Sequence, residues 1–105
     1  MIQGDVYWVK LKKPDKKRPV LILTRTSVIP ELNSVVVAAI TTTLREVRSQ
    51  VVLGVEDGMR EDCAVNMDNL HTVNKSFFDS YITHLPKSRM QEVFDAMQFA
   101  FGYEN

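Results

Sequence analysis

Three stretches of the chain, PVLILTR (19–25), SVVVAAIT (34–41) and QVVLGV (50–55), are short, almost continuously apolar and bounded by polar or turn-forming residues. Runs this brief cannot make a long buried helix. Their valines, isoleucines and threonines are stiff at χ1 and suit a pleated surface. They read as strands, the first two as central strands covered on both faces. GDVYWVKL (4–11) alternates and reads as a further strand. CAVNMDNLHTV (63–73) holds one or two short strands, NKSFFDSY (74–81) one or two helical turns, and ITHL (82–85) another strand. KKPDKK (12–17), TSVIPELN, TTLREVR (42–48) and EDGMRED (56–62) are connections, the last turning at Gly58. After Pro86, Ser88 and Gln91 form an S-x-x-Q capping signature. Met90, Val93, Phe94, Met97 and Phe101 then make one apolar helical stripe that ends near Gly102. Short strands at roughly 8–12-residue spacing closed by one helix predict a small, mainly β barrel. At 105 residues the chain is expected to be a single domain, 1–105.

Charge is the next constraint. The formal net charge is zero, which argues against a nucleic-acid binder until the distribution is read. Residues 1–50 hold nine Lys/Arg against four Asp/Glu, and residues 51–105 hold four against nine. Six of the nine basic residues fall in KLKKPDKKR (10–18). A neutral total therefore conceals a local field that suits a polyanion. One cysteine, Cys63, excludes an internal disulfide and points to a reducing compartment. No apolar run approaches the roughly 20 residues of a membrane span, and no signal peptide is visible, so a cytoplasmic location is expected.

Several constellations invite chemistry. Glu56, Asp57, Glu61 and Asp62 crowd one turn, but without histidine or calcium-loop spacing they read as a solvated acidic turn. No metal and no cofactor is expected. Cys63 follows acidic residues into an apolar strand, which raises a thiol pKa instead of activating it. His71 and His84 could serve as the base and acid of a metal-free ribonuclease. Each lies alone in its own short strand, which favours a plain hydrogen-bonding role. AAITTT (39–44) places hydroxyls at the end of a buried strand. They are either β-formers and turn caps or ligands for phosphate oxygens. Arg18 precedes Pro19, which pushes it toward an extended conformation. Its guanidinium starts from a strand edge, and a planar fork suits a phosphodiester or a surface carboxylate.

In order and spacing these stretches resemble the MazF/PemK family of toxins from bacterial toxin–antitoxin pairs. GDVYWVKL (4–11) is similar to the opening strand, RPVLILT (18–24) to an Arg-Pro-apolar signature, and VVVAAIT (35–41) to a strand ending in Ile-Thr. DGMREDCAVNMDNLHTVNK (57–75) is similar to a segment ending in Thr-apolar-Asp/Asn-Lys, and ITHLPKSRMQEVFDAM (82–97) to the final strand and helix. The resemblance implies an SH3-like β-barrel of the MazF/CcdB type with a C-terminal helix, a homodimer and a cognate antitoxin. It also implies a metal-independent, sequence-selective endoribonuclease that leaves a 2′,3′-cyclic phosphate and a 5′-hydroxyl. The catalytic arginine and threonine fall on Arg18 and Thr41. Single-stranded RNA is expected to meet Lys12, Lys13, Lys16, Lys17, Thr42 and Asn69, the last with Asp68 as its alternative. The antitoxin is expected to bring an acidic disordered segment into the same groove. The chain departs from the family in its lysine-rich KKPDKK loop, in Ala39 for a common proline, and in Cys63 for a common serine. Two rivals share the fold expectation: a CcdB-like gyrase poison acting by protein binding, and a non-catalytic barrel that binds RNA.

Overall fold

The computed structural model describes residues 1–10 and 16–102. Six strands form one antiparallel sheet: β1 (Asp5–Lys10), β2 (Lys17–Ile22), β3 (Ser34–Thr41), β4 (Gln50–Leu53), β5 (Cys63–Asn74) and β6 (Phe78–His84). Their order is β4-β5-β3-β2-β1-β6, so β2 and β3 are central and β4 is an edge strand. The sheet curls into a half-barrel, and helix α1 (Lys87–Phe101) packs against β4 and β5.

Alternation along the strands sorts the core onto two faces. Val6, Leu21, Ala38, Ile40, Val65 and Met67 join Val93 and Ala96 of the helix. Val9, Val20, Ile22, Val35 and Val37 form a second cluster around Ile29, which a short 3-10 turn (Thr26–Glu31) folds over them. That turn is held from beneath. Lys75 Nζ donates to the Ile29 carbonyl at 2.8 Å, and the Lys75 N–H to Asn33 O at 2.8 Å. Asn74 Oδ1 accepts from the Ser76 N–H at 2.9 Å. The Thr72–Lys75 motif therefore clasps the end of β5 to the connection between β2 and β3.

Three local expectations change. Residues 63–74 make one twelve-residue strand, interrupted where Ala38 pairs with Leu70 but Ala39 with Asn66. Met67, Asp68 and Asn69 form the resulting bulge, which lets the strand bend between two sets of partners. Residues 74–81 contain only a 3-10 turn (Lys75–Phe77), and Phe78–Tyr81 already belong to β6. Edge-on contacts of Tyr7 with Phe78 (5.7 Å) and Tyr81 (5.6 Å) draw this aromatic segment into the sheet. The helix starts at Lys87 with Pro86 as its N-cap, so Ser88 does not cap it. Its buried side chains are Val93 and Ala96, while Phe101 is exposed.

Gly58 ends the turn Val55–Asp57 at φ +93°, a conformation favourable only to glycine. A Cβ there would lie 2.4 Å from Thr83 Oγ1, whose hydroxyl donates to Asp57 O at 3.0 Å. Gly58→Ala is expected to destabilise the fold by about 2–3 kcal/mol through strain and displacement of Thr83. Urea unfolding checks this.

Candidate active site

Proline at position 19 decides where the sheet opens. The Leu23 N–H donates to Val36 O at 2.9 Å, so donors of β2 at alternate residues face β3. Residue 19 has that parity, and proline has no donor to offer. The β2–β3 ladder accordingly ends at the pair Val20↔Ala39. Two residues further along that register, Arg18 and Thr41 stand on opposite sides of the opening. Each is still anchored on its other side: Arg18 pairs with Val9 of β1, and Thr41 with Ala64 of β5. The opening is part of a groove of about 910 Å³.

The groove brings Lys16, Lys17, Arg18, Thr41 and Thr42 together. Asn69 is exposed in the β5 bulge and does not line it. Lys12 and Lys13 lie outside the described residues. Among the sequence alternatives for the late-strand position, Asp68 is committed elsewhere, accepting the hydroxyl of buried Ser49.

Arg18 is exposed and has no hydrogen-bond or ion-pair partner among the described residues. Some of the other cations are already occupied. Lys17 Nζ meets Asp79 Oδ2 at 2.6 Å across β1, and this hydrogen bond holds the Asp79 carboxyl below its ordinary value. Arg89 binds Asp57 and Glu92, and Arg48 lies 4.5 Å over the Phe99 ring. Thr41 Oγ1 accepts the Thr43 N–H at 3.0 Å. That contact uses a lone pair and leaves the hydroxyl proton free to donate. A free guanidinium and a free hydroxyl donor at one opening can together bind a phosphoryl group.

Further along, the groove is walled by Trp8, Met59, Arg60, Glu61, Cys63, Tyr81 and Ile82. Trp8 and Tyr81 offer partly exposed aromatic faces of the kind on which bases stack. Trp8 escaped the sequence reading because it keeps the alternation of a half-buried strand, and Tyr81 because its segment reads as helical. Burial, assisted by Glu61, Asp57 and Asp62, pushes the Cys63 thiol up to about 11. It is a buried wall residue, as its sequence context suggests.

The two histidines do not meet. His71 is exposed on β5, and His84 on β6 bonds Asp5 Oδ1 at 2.9 Å, with β3, β2 and β1 between their strands. Neither lines the groove. The acidic turn is also less solvated than it reads, because Asp57 turns inward to Arg89 and to the Gly54 N–H. Among the described residues no group of three metal-binding side chains forms. Among them, too, no helix is long and apolar enough to cross a membrane.

Comparison with known proteins adds a second line of observation. Residues 2–101 match the family described as PemK-like, MazF-like toxin of type II toxin–antitoxin systems. The chain is 39% identical over 103 residues to the probable endoribonuclease MazF2 of Mycobacterium tuberculosis, covering 97% of this chain and 99% of that one. It superposes on the M. tuberculosis toxin MazF-mt6 with a TM-score of 0.86 at 34% identity, over 96% of this chain and 99% of the other. A mycobacterial endoribonuclease solved with its cognate antitoxin gives a TM-score of 0.86 at 25% identity, over 100% and 98% of the two chains.

Proposed function

The chain belongs to the PemK/MazF-like toxins, and from that premise we propose that its groove cleaves single-stranded RNA, with Arg18 and Thr41 acting on the scissile phosphate. It is the toxin and endoribonuclease of a toxin–antitoxin pair. Residues 1–105 act as one toxin domain in the cytoplasm. The rival readings, a gyrase poison or a non-catalytic RNA binder, are not favoured by relatives that carry the endoribonuclease name.

The observation that carries the site assignment is the break at Pro19. It leaves an unpaired guanidinium and a free hydroxyl proton on two rigid strand ends beside one groove. In the reaction the 2′-oxygen attacks the adjacent phosphorus and the 5′-oxygen departs, leaving a 2′,3′-cyclic phosphate and a 5′-hydroxyl. Charge grows on the phosphoryl oxygens, where preorganised donors act most strongly. Arg18 supplies a fixed positive fork and Thr41 a neutral donor. With these groups carrying the charge, the reaction proceeds without a metal ion. Incubation with a long single-stranded RNA in EDTA is expected to give discrete fragments at a limited set of sequences. Intact RNA under those conditions would count against the proposal.

The lysines hold phosphates and carry little base selectivity, since a point charge lacks a fork that reads base edges. Each phosphate contact on a single strand contributes about −0.7 to the slope of log K against log[salt]. Lys16→Ala is expected to flatten that slope by about 0.7. Lys17→Ala should change it less, because Asp79 already neutralises that ammonium. Affinity for an uncleavable RNA at several salt concentrations measures both. Equal losses would mean that RNA draws Lys17 away from Asp79.

The cognate antitoxin lays an acidic, initially disordered segment in the same groove, opposite the basic residues of the first half. The toxin works as a homodimer. RNA and antitoxin should exclude each other in competition binding.

A further inference from the structure

We propose that Glu61 is the general base of the cleavage, taking the 2′-hydroxyl proton as that oxygen attacks phosphorus. The inference rests on reading the groove as the cleavage site. It addresses what that reading leaves open, because Arg18 and Thr41 stabilise charge but neither takes up a proton at neutral pH.

Glu61 is the only carboxylate lining the groove among the described residues, and no histidine lines it. It lies on the turn that leads into β5, three residues before Ala64, the partner of Thr41. It has no hydrogen-bond or ion-pair partner among the described residues. Several other carboxylates are engaged, Asp5 with His84, Asp57 and Glu92 with Arg89, Asp68 with Ser49, and Asp79 with Lys17. Glu31, Glu46, Glu56 and Asp62, unpaired among the described residues, do not line the groove. The remaining titratable walls of the groove are poor bases. Cys63 holds its proton to about 11, and tyrosines and lysines ordinarily hold theirs to ~10.

Electrostatics sharpens the point. A carboxylate among Lys16, Lys17, Arg18 and Arg60 repels the polyanion those cations attract. Binding alone would be better served by a neutral side chain. A base of the reaction has to be there, and has to be unpaired.

The step balances within the substrate and solvent. The 2′-O–H proton passes to a Glu61 Oε as the 2′-oxygen bonds to phosphorus. The P–O5′ bond breaks with its electron pair going to the 5′-oxygen, which takes a proton from water. Glu61 then loses its proton to solvent and is ready again.

The test uses the full chain and an RNA with one mapped cleavage site, followed in single turnover from acidic to neutral pH. The same RNA with a 2′-deoxy nucleotide at that site measures binding. Wild-type cleavage should slow as pH falls into the carboxylate range, because a protonated base cannot accept the proton. Glu61→Gln should cut the neutral rate by about 10² or more, abolish that acidic limb, and leave affinity for the deoxy RNA unchanged or higher. Glu61→Asp should keep the limb at reduced rate. If Glu61→Gln cleaves like wild type, or is slow but keeps the acidic limb, the base assignment is overturned. So is it if the lost rate is matched by lost affinity. In each of these cases wild-type activity together with a dead Arg18→Ala leaves the reading of the groove standing. RNA left intact by the wild-type protein removes that reading, and this inference with it.

Discussion

Arg18→Ala is expected to slow RNA cleavage by roughly 10²–10³ while leaving the protein as stable as before. The size follows from the loss of one preorganised donor, ~3–4 kcal/mol of barrier in comparable sites. The unchanged stability follows from position. Arg18 is exposed, belongs to neither core cluster and has no partner among the described residues. Its backbone pairing with Val9 does not depend on its side chain. Arg18→Lys should recover little, because an ammonium is a point charge without the bidentate geometry of the guanidinium. Melting curves and single-turnover rates on the same preparations separate chemistry from folding. A folded Arg18→Ala protein with wild-type rate would remove Arg18 from the reaction.

The second large effect lies at the opposite end of the charge inventory. Arg89, in the first turn of α1, donates Nε to Asp57 Oδ1 at 3.0 Å and Nη1 to Glu92 Oε2 at 2.8 Å. It also donates to the carbonyl of Val52 on edge strand β4. One side chain thus ties the helix to β4 and to the turn that leads into the groove wall. Burial works against its charge, but the bonds to Asp57 and Glu92 hold its proton more firmly than usual. The Asp57 side chain is only 7% exposed, so Arg89→Ala strands a nearly buried carboxylate. The pair is not fully enclosed, since Arg89 is 24% exposed, so the cost is set below that of a deep ion pair. About 2–4 kcal/mol is expected, read as a lowered urea midpoint. Cleavage should persist wherever the variant remains folded. Arg18→Ala and Arg89→Ala should therefore fail in opposite assays, one in chemistry and the other in stability.

The contrast between these two arginines shows what the sequence could and could not reveal. Arg18 is legible because Pro19 follows it and an apolar strand follows that, so the chain itself announces a cation at a strand edge. Arg89 is not legible, because its importance comes from Val52 and Asp57, more than thirty residues away. The same limit applies to the groove. Thr41 could be placed at a strand end from AAITTT alone. That it stands across from Arg18 depends on a ladder that stops at Val20↔Ala39. Glu61 looks like one of four acidic residues in a turn until the fold turns Asp57 inward and leaves Glu61 on the groove. The first half of β6, Phe78–Tyr81, escapes the local pattern for a similar reason, since its pairing comes from Tyr7 and Val9 across the sheet. The pattern of α1 gives its extent and puts Met90, Val93 and Met97 on the core, but only part of its face. Small residues, Ala96 and Ala100, pack on the core where the pattern favoured Phe94 and Phe101.

The most direct measurement is the chemical identity of the new ends made by wild-type protein on single-stranded RNA in EDTA, read by mass spectrometry. If the 2′-oxygen attacks at the Arg18–Thr41 opening as proposed, one fragment is expected to carry a 2′,3′-cyclic phosphate and the other a free 5′-hydroxyl. A single 2′-deoxy nucleotide at the mapped site should block the cut completely. Fragments bearing a 5′-phosphate, or cleavage of the deoxy-substituted RNA at the same position, would contradict it, because both require a nucleophile other than the neighbouring 2′-oxygen.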